Sequence, residues 1–133
     1  MQDLTARQVK AHKSISKAHL NSIECMAGHP SNKVFASGSH DHTIKIWDLE
    51  TTKETMQLAD HKYFFVYFRE GVWSLQYSND GNQLLSASPD TLIQIWDSKK
   101  GSVGAKLKAH KDKVYDARFN HSNKNIVSCG IGG

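Results

Sequence analysis

Ser37, Asp41 and Trp47 recur as Ser86, Asp90 and Trp96, each displaced by the same distance (86 − 37 = 90 − 41 = 96 − 47 = 49). A histidine follows each tryptophan at a constant step, His61 after Trp47 (61 − 47 = 14) and His110 after Trp96 (110 − 96 = 14). Serine, histidine and aspartate are the side chains of a nucleophilic triad, in which the imidazole takes the hydroxyl proton and the carboxylate orients the ring. Present once, such a set would point to acyl transfer. Repeated at a fixed offset, on serines carried by strand-like segments, it points instead to a structural part made more than once, because a nucleophile has to be exposed to substrate. His40-Asp41-His42 has the residue types of a metal half-site. Two histidines at i and i+2, without a cysteine or a further histidine pattern nearby, read as turn residues. Neither catalysis nor a metal is therefore expected.

The segments that carry these residues are short and alternate in polarity. Thr43-Ile44-Lys45-Ile46-Trp47-Asp48 and Leu92-Ile93-Gln94-Ile95-Trp96-Asp97 have the period of two that marks a half-buried strand, and an Asp turn precedes each. Extending the frame upstream gives Ile23 to Ser37, Val72 to Ser86 and Val114 to Ser128, all 14 residues apart (37 − 23, 86 − 72, 128 − 114), so a third copy exists. Leu58 and Leu107 can each end one further strand. Asn79-Asp80-Gly81-Asn82 contains Asp-Gly, a strong tight-turn signal. The third copy runs from Val114 to Phe119 and through Ile126-Val127-Ser128. Its tryptophan would fall at 128 + 10 = 138, outside the 133 residues, and Gly132 stands where its Asp is expected.

A histidine, four strands, a strand-borne serine, an Asp turn and a terminal Trp-Asp resemble the WD40 repeat of β-propellers. The resemblance covers residues 17 to 133 and implies an all-β fold: an incomplete WD40 β-propeller of two full four-stranded blades plus a truncated third. Blade one would occupy 17 to 58, blade two 59 to 107 and partial blade three 108 to 133, with 1 to 16 as an N-terminal segment. Four to eight blades of about 40 to 45 residues are usual, so a chain of 133 residues is too short to close the ring. Arg7 to Lys13 aligns with Ala105 to Lys111 at twice 49, which suggests the outer strand of a preceding blade.

In this family the histidine, serine, aspartate and tryptophan of one repeat join in a hydrogen-bonded chain. Carried over, blade one would use His19, Ser37, Asp41 and Trp47; blade two His61, Ser86, Asp90 and Trp96; blade three His110 and Ser128. His19 is preferred to His12 because only His19 keeps the four-residue step to Ile23 that His110 keeps to Val114. The resemblance also places recognition on the rim around the start of each inner strand. Here that rim is Ser22 and Glu24, Gly71 and Trp73, Lys113 and Tyr115, with His40 and Pro89 before or at the Asp turns. Trp73 and Tyr115 are either binding hot spots or rings packed against neighbouring blades. Gly28 departs from the pattern, since Tyr77 and Phe119 stand at its place in the other copies.

The function implied is a non-enzymatic protein-interaction scaffold whose partners are other proteins, with no cofactor and no small-molecule substrate. A nucleic-acid-associated subunit, or a truncated product without function, is the alternative. The net charge of +4 comes from lysines spread over turns, such as Lys99, Lys100, Lys108, Lys111 and Lys113, and does not indicate nucleic-acid binding. No run approaches the roughly 18 apolar residues of a membrane span, and the N-terminus lacks an apolar secretory core. Cys25 and Cys129 read as reduced thiols, which places the chain in the cytoplasm, or in the nucleus. Open blade edges predict self-association in place of a stable monomer.

One stretch interrupts the repeat. His61 to Val72 is 11 residues where His19 to Ile23 and His110 to Val114 are 4, and the seven extra residues read Tyr63-Phe64-Phe65-Val66-Tyr67-Phe68-Arg69. They read either as an aromatic loop that touches a partner or a membrane, or as a translated intron of 3 × 7 = 21 nucleotides, AT-rich and bounded by GT and AG.

Overall fold

The computed structural model describes residues 13 to 61 and 71 to 132. The N-terminal strand expected over Arg7 to Lys13 lies almost wholly outside them, and the Tyr63 to Arg69 stretch lies outside them entirely. The described residues form ten strands in three antiparallel sheets and contain no helix. The first sheet is β1 (Ile23–Gly28), β2 (Val34–Ser39), β3 (Ile44–Asp48) and β4 (Glu54–Leu58), paired in chain order. The second repeats it with β5 (Ser74–Tyr77), β6 (Gln83–Ala87), β7 (Ile93–Asp97) and β8 (Val103–Leu107). The third pairs β9 (Val114–Phe119) with β10 (Ile126–Gly130). This is the open, incomplete propeller expected, and among the described residues no helix is long and apolar enough to cross a membrane.

Each hairpin closes at a residue in the left-handed region, and the positions repeat with the sequence. The first turn uses Asn32 (φ 57°), Gly81 (φ 72°) and Asn123 (φ 57°), residue types that enter that region most cheaply. The third turn uses Thr52 (φ 58°) and Gly101 (φ 69°). The aspartate of each Trp-Asp pair holds this turn: Asp48 Oδ1 accepts the N–H groups of Glu50 and Thr51, and Asp97 Oδ1 those of Lys99 and Lys100. Those N–H groups, led by Thr51 and Lys100, pull both carboxyls below the ordinary carboxylate range. Both third strands shift register at the same place, Ile46/Trp47 and Ile95/Trp96, a bulge that sets each tryptophan within its sheet.

The inner strand of blade two is shorter than its alternation suggests. Its ladder begins at Ser74, while the Val72 N–H is given to Ser39 of blade one and the Trp73 N–H to Ala87 of β6. The core lies between blades. Ala36, Ile44, Ile46 and Leu58 of blade one close on Val72, Leu75, Tyr77, Leu84 and Trp96 of blade two. Leu85, Ala87 and Ile93 of blade two close on Val114, Ala117 and Phe119 of blade three. Gly28 ends β1 with nothing within 4 Å of where a side chain would stand, whereas Tyr77 and Phe119 at its place are buried in these seams.

Candidate functional site

The alternation of β2 and β6 turns Ser37 and Ser86 inward, and both hydroxyls are engaged. Trp47 Nε1 donates to Ser37 Oγ at 2.8 Å, and Trp96 Nε1 to Ser86 Oγ at 2.8 Å. The imidazoles lie beyond: His19 Nε2 is 2.7 Å from Ser37 Oγ, and His61 Nε2 is 2.8 Å from Ser86 Oγ. On their far side, His19 Nδ1 meets Asp41 Oδ2 at 2.9 Å and His61 Nδ1 meets Asp90 Oδ2 at 2.8 Å. Residue chemistry orders the protons, since an indole only donates and a carboxylate only accepts. Nδ1–H therefore donates to the aspartate, and Nε2 accepts the hydrogen bond of the serine O–H. In blade three His110 Nε2 lies 2.9 Å from Ser128 Oγ.

A triad nucleophile would need substrate at the serine. Ser86 is 0% exposed, and its lone pair is already held by an indole N–H, so the hydroxyl offers no approach. The aspartates also hold the turn that precedes β3 and β7. Asp41 Oδ1 accepts the Thr43 N–H and hydroxyl, Asp90 Oδ1 the Leu92 N–H, while Ser39 and Ser88 hydroxyls accept the N–H groups of Asp41 and Asp90. Thr43, Leu20, Ser39 and Ser88 were not singled out from the sequence. The Ser39 and Ser88 pair was visible as part of the repeat, but Thr43 has no counterpart in blade two, where Gln94 Nε2 instead approaches His61 Nδ1 at 3.3 Å. His42 and Thr91 occupy the left-handed region in these turns (φ 67° and 75°), a cost the surrounding bonds must hold in place.

Burial works to raise the Asp41 carboxyl, but hydrogen bonds from Thr43, the Leu20 N–H and His19 outweigh it and hold it down at about 2. A carboxyl depressed in the folded state stabilises fully above its ordinary value, and that share is lost as pH falls from about 4 through about 2. Asp41→Asn is expected to remove about 1 kcal/mol at neutral pH once solvent screening is allowed for. It also flattens the loss of stability between pH 4 and 2, which denaturant titrations at stepped pH would read. Asp48, Asp80, Asp97 and Asp116 are also held low and keep acid sensitivity in the variant. An unchanged slope in the variant would show that Asp41 carries none of it.

Of the eight rim residues, four fall into two pairs. Glu24 Oε1 meets His40 Nε2 at 2.9 Å. Trp73 and Tyr115, on adjacent inner strands, stack with ring centroids 5.3 Å apart and planes at 4°, and Tyr115 is 44% exposed. They thus pack on one another across blades and still present a face. Trp73 Nε1 and His40 Nδ1 are buried without a hydrogen-bond partner among the described residues. Lys113 is half-buried, and its carbonyl accepts the Ile131 N–H. Pro89 is buried, so it is no part of the open rim: the seam with blade three, where Val114 N–H reaches Ser88 O, lies beside it. Gly71 runs over His40 so closely that a Cβ would lie 2.5 Å from its Cα. His42 is buried, and among the described residues no group of three or more His, Cys, Asp or Glu side chains could hold a metal ion. Cys25 donates to the Val72 carbonyl at 3.3 Å, and burial pushes its thiol up to about 12; Cys129 is exposed.

Comparison with known proteins adds three findings. The WD domain, G-beta repeat family matches residues 10–48, 58–97 and 101–133. The chain is 27% identical over 132 residues to striatin of Rattus norvegicus and 28% identical to striatin-3 of Bos taurus, in each case over 88% of this chain and 17% of the relative. It is 32% identical over 117 residues to the chromatin assembly factor 1 subunit FAS2 homolog of Oryza sativa subsp. japonica, over 88% of this chain and 23% of that one. It thus spans less than a quarter of the length of these relatives. Three repeats, a Trp-Asp strand end in two of them and matches over most of the chain lead to one conclusion: this protein belongs to the WD domain, G-beta repeat family.

Proposed function

We propose that this chain is a non-enzymatic protein-interaction scaffold, in which the His, Ser, Asp and Trp chains stiffen each blade and the rim at Glu24, His40, Trp73, Lys113 and Tyr115 receives a protein partner. The observation that carries this reading is the Trp73–Tyr115 stack, a rigid aromatic surface bridging two blades with one ring still exposed. Tryptophan and tyrosine are the side chains most enriched at binding hot spots, and pre-stacked rings lose little freedom on docking. The name of the rice relative describes a subunit of a chromatin assembly factor. A half-buried Cys25 and an exposed Cys129, both free thiols, fit a reducing compartment, the cytoplasm or the nucleus.

Replacing Trp73 and Tyr115 together with alanine is expected to weaken capture of protein partners from a cell extract at least thirtyfold, the loss of one hot spot. The circular dichroism spectrum stays as it is, and the melting midpoint falls by only a few degrees, since the stack itself contributes about 0.5 to 1.5 kcal/mol. Unfolding of the double variant would show that the rings serve packing alone. Retention on a nucleic-acid column that fades with salt would favour the nucleic-acid-associated alternative.

A further inference from the structure

The imidazoles of blades one and two make the same bonds on both ring nitrogens, yet each meets one further group at Nδ1, and the two groups come from different places in the repeat. In blade one the group is Thr43 Oγ1, 3.2 Å from His19 Nδ1. In blade two Leu92 stands at that place (92 − 43 = 49), and the group is the side-chain amide of Gln94, whose nitrogen lies 3.3 Å from His61 Nδ1. At the place of Gln94, blade one has Lys45 (94 − 45 = 49), which turns to Glu54 and to the face of Trp47.

The chemistry of the two contacts follows from their partners. Nδ1 carries the proton in both rings, because it faces a carboxylate that only accepts. The Thr43 hydroxyl gives its own proton to Asp41 Oδ1 at 2.6 Å, so what it turns to the His19 Nδ1–H is a lone pair. Gln94 is fully buried, and its amide nitrogen only donates, so Nε2 beside the His61 Nδ1–H sets two donors face to face. Its carbonyl oxygen, Oε1, is meanwhile buried without a partner among the described residues. The two ends of a side-chain amide are alike in shape, and which of them is oxygen follows from the hydrogen bonds they make. A half-turn of the amide puts Oε1 on the His61 Nδ1–H. The far end then exchanges one unpartnered polar atom for another, so the gain lies wholly at His61, where a donor–donor contact becomes a hydrogen bond.

We propose that Gln94 is a positioning residue for His61: its side-chain carbonyl shares the Nδ1–H with Asp90, as Thr43 Oγ1 shares that of His19 with Asp41. With two acceptors at Nδ1 the ring stays engaged through small swings of either one, and Nε2 is kept on the Ser86 hydroxyl. The brace is supplied once in each of these blades, from the Asp turn in blade one and from β7 in blade two. The same exchange accounts for the strand positions. Where the turn holds Thr43, the strand position is released to carry the charge of Lys45; where the turn holds Leu92, the strand position is a buried amide.

Exchange of single ring protons with solvent, read by NMR, tests this. In Gln94→Leu, which keeps the bulk and removes the acceptor, the His61 Nδ1–H is expected to exchange about tenfold faster, the weight of one hydrogen bond in an opening equilibrium, while the Trp96 Nε1–H keeps its rate. A Gln94 that only fills space predicts no change at His61, or an equal rise at both protons if the variant loosens the whole blade, and either result overturns the proposal. Adding Leu92→Thr installs the acceptor of blade one and is expected to restore the His61 rate; no recovery counts against the shared role. Should Gln94→Leu fail to fold, the unaltered chain decides. The nuclear Overhauser contact between the His61 Nδ1–H and the Gln94 amide protons is expected to be weak, since the nitrogen end faces away, and a strong contact refutes the assignment.

Discussion

Replacing Trp96 with alanine is expected to destabilise the chain by roughly 3 to 5 kcal/mol, the cost of deleting a large aromatic side chain from a packed core. Trp96 is buried in the seam between blades one and two, among Leu75, Tyr77, Leu84 and Ile46. Its indole N–H is also the donor that the Ser86 hydroxyl accepts, so alanine leaves that buried oxygen short of a partner and loosens the line that runs through His61 to Asp90. Urea titration followed by circular dichroism at sub-micromolar protein, where association is minimised, measures the loss. A change below about 1 kcal/mol would show that the tryptophan is not part of the core. Trp47 provides the internal comparison. It makes the same bond to Ser37, but it lines the open cavity of blade one, so Trp47→Ala removes fewer packed neighbours and is expected to cost less than Trp96→Ala.

Gly38→Leu is expected to cost roughly 3 kcal/mol or more, by a different route. Gly38 needs no unusual backbone angle; it needs room. A Cβ there would lie 2.6 Å from Cys25 Sγ and 2.8 Å from Val72 Cγ1, so even the first carbon collides with both sides of the seam, and a whole leucine forces blades one and two apart. The signature separates this from a local strand defect. Val72→Ala should recover part of the loss, since it removes the Cγ1 atom that the new side chain meets, and the two substitutions together should cost less than their sum. Strict additivity would place the damage elsewhere.

How much of this was legible in the sequence depends on the range of the interaction. The strands were readable because period-two alternation states which side chains share a face, and the turn at Asn79 to Asn82 because Gly81 tolerates the left-handed backbone that a tight hairpin needs. The chains from Trp47 to Asp41 and from Trp96 to Asp90 were readable through a family resemblance built on constant spacing. Their supporting groups were less so: Thr43 and Gln94 both stand beside the imidazole, yet come from different positions of the repeat.

Spacing and alternation alone therefore determined three repeats of one antiparallel unit and the facing of each strand, because these depend on neighbours a few residues away. Tertiary structure alone decided what lies across the seam. It buried Pro89, stacked Trp73 on Tyr115, left Gly28 facing open space and reserved Gly38 for the side chains of Cys25 and Val72. A period of two says that a residue points to one face of a sheet, but not what stands opposite. A glycine reads the same in sequence whether it supplies an angle or a gap. Those distinctions arise only when one blade is laid against the next, since burial, stacking and close approach are properties of a pair of surfaces.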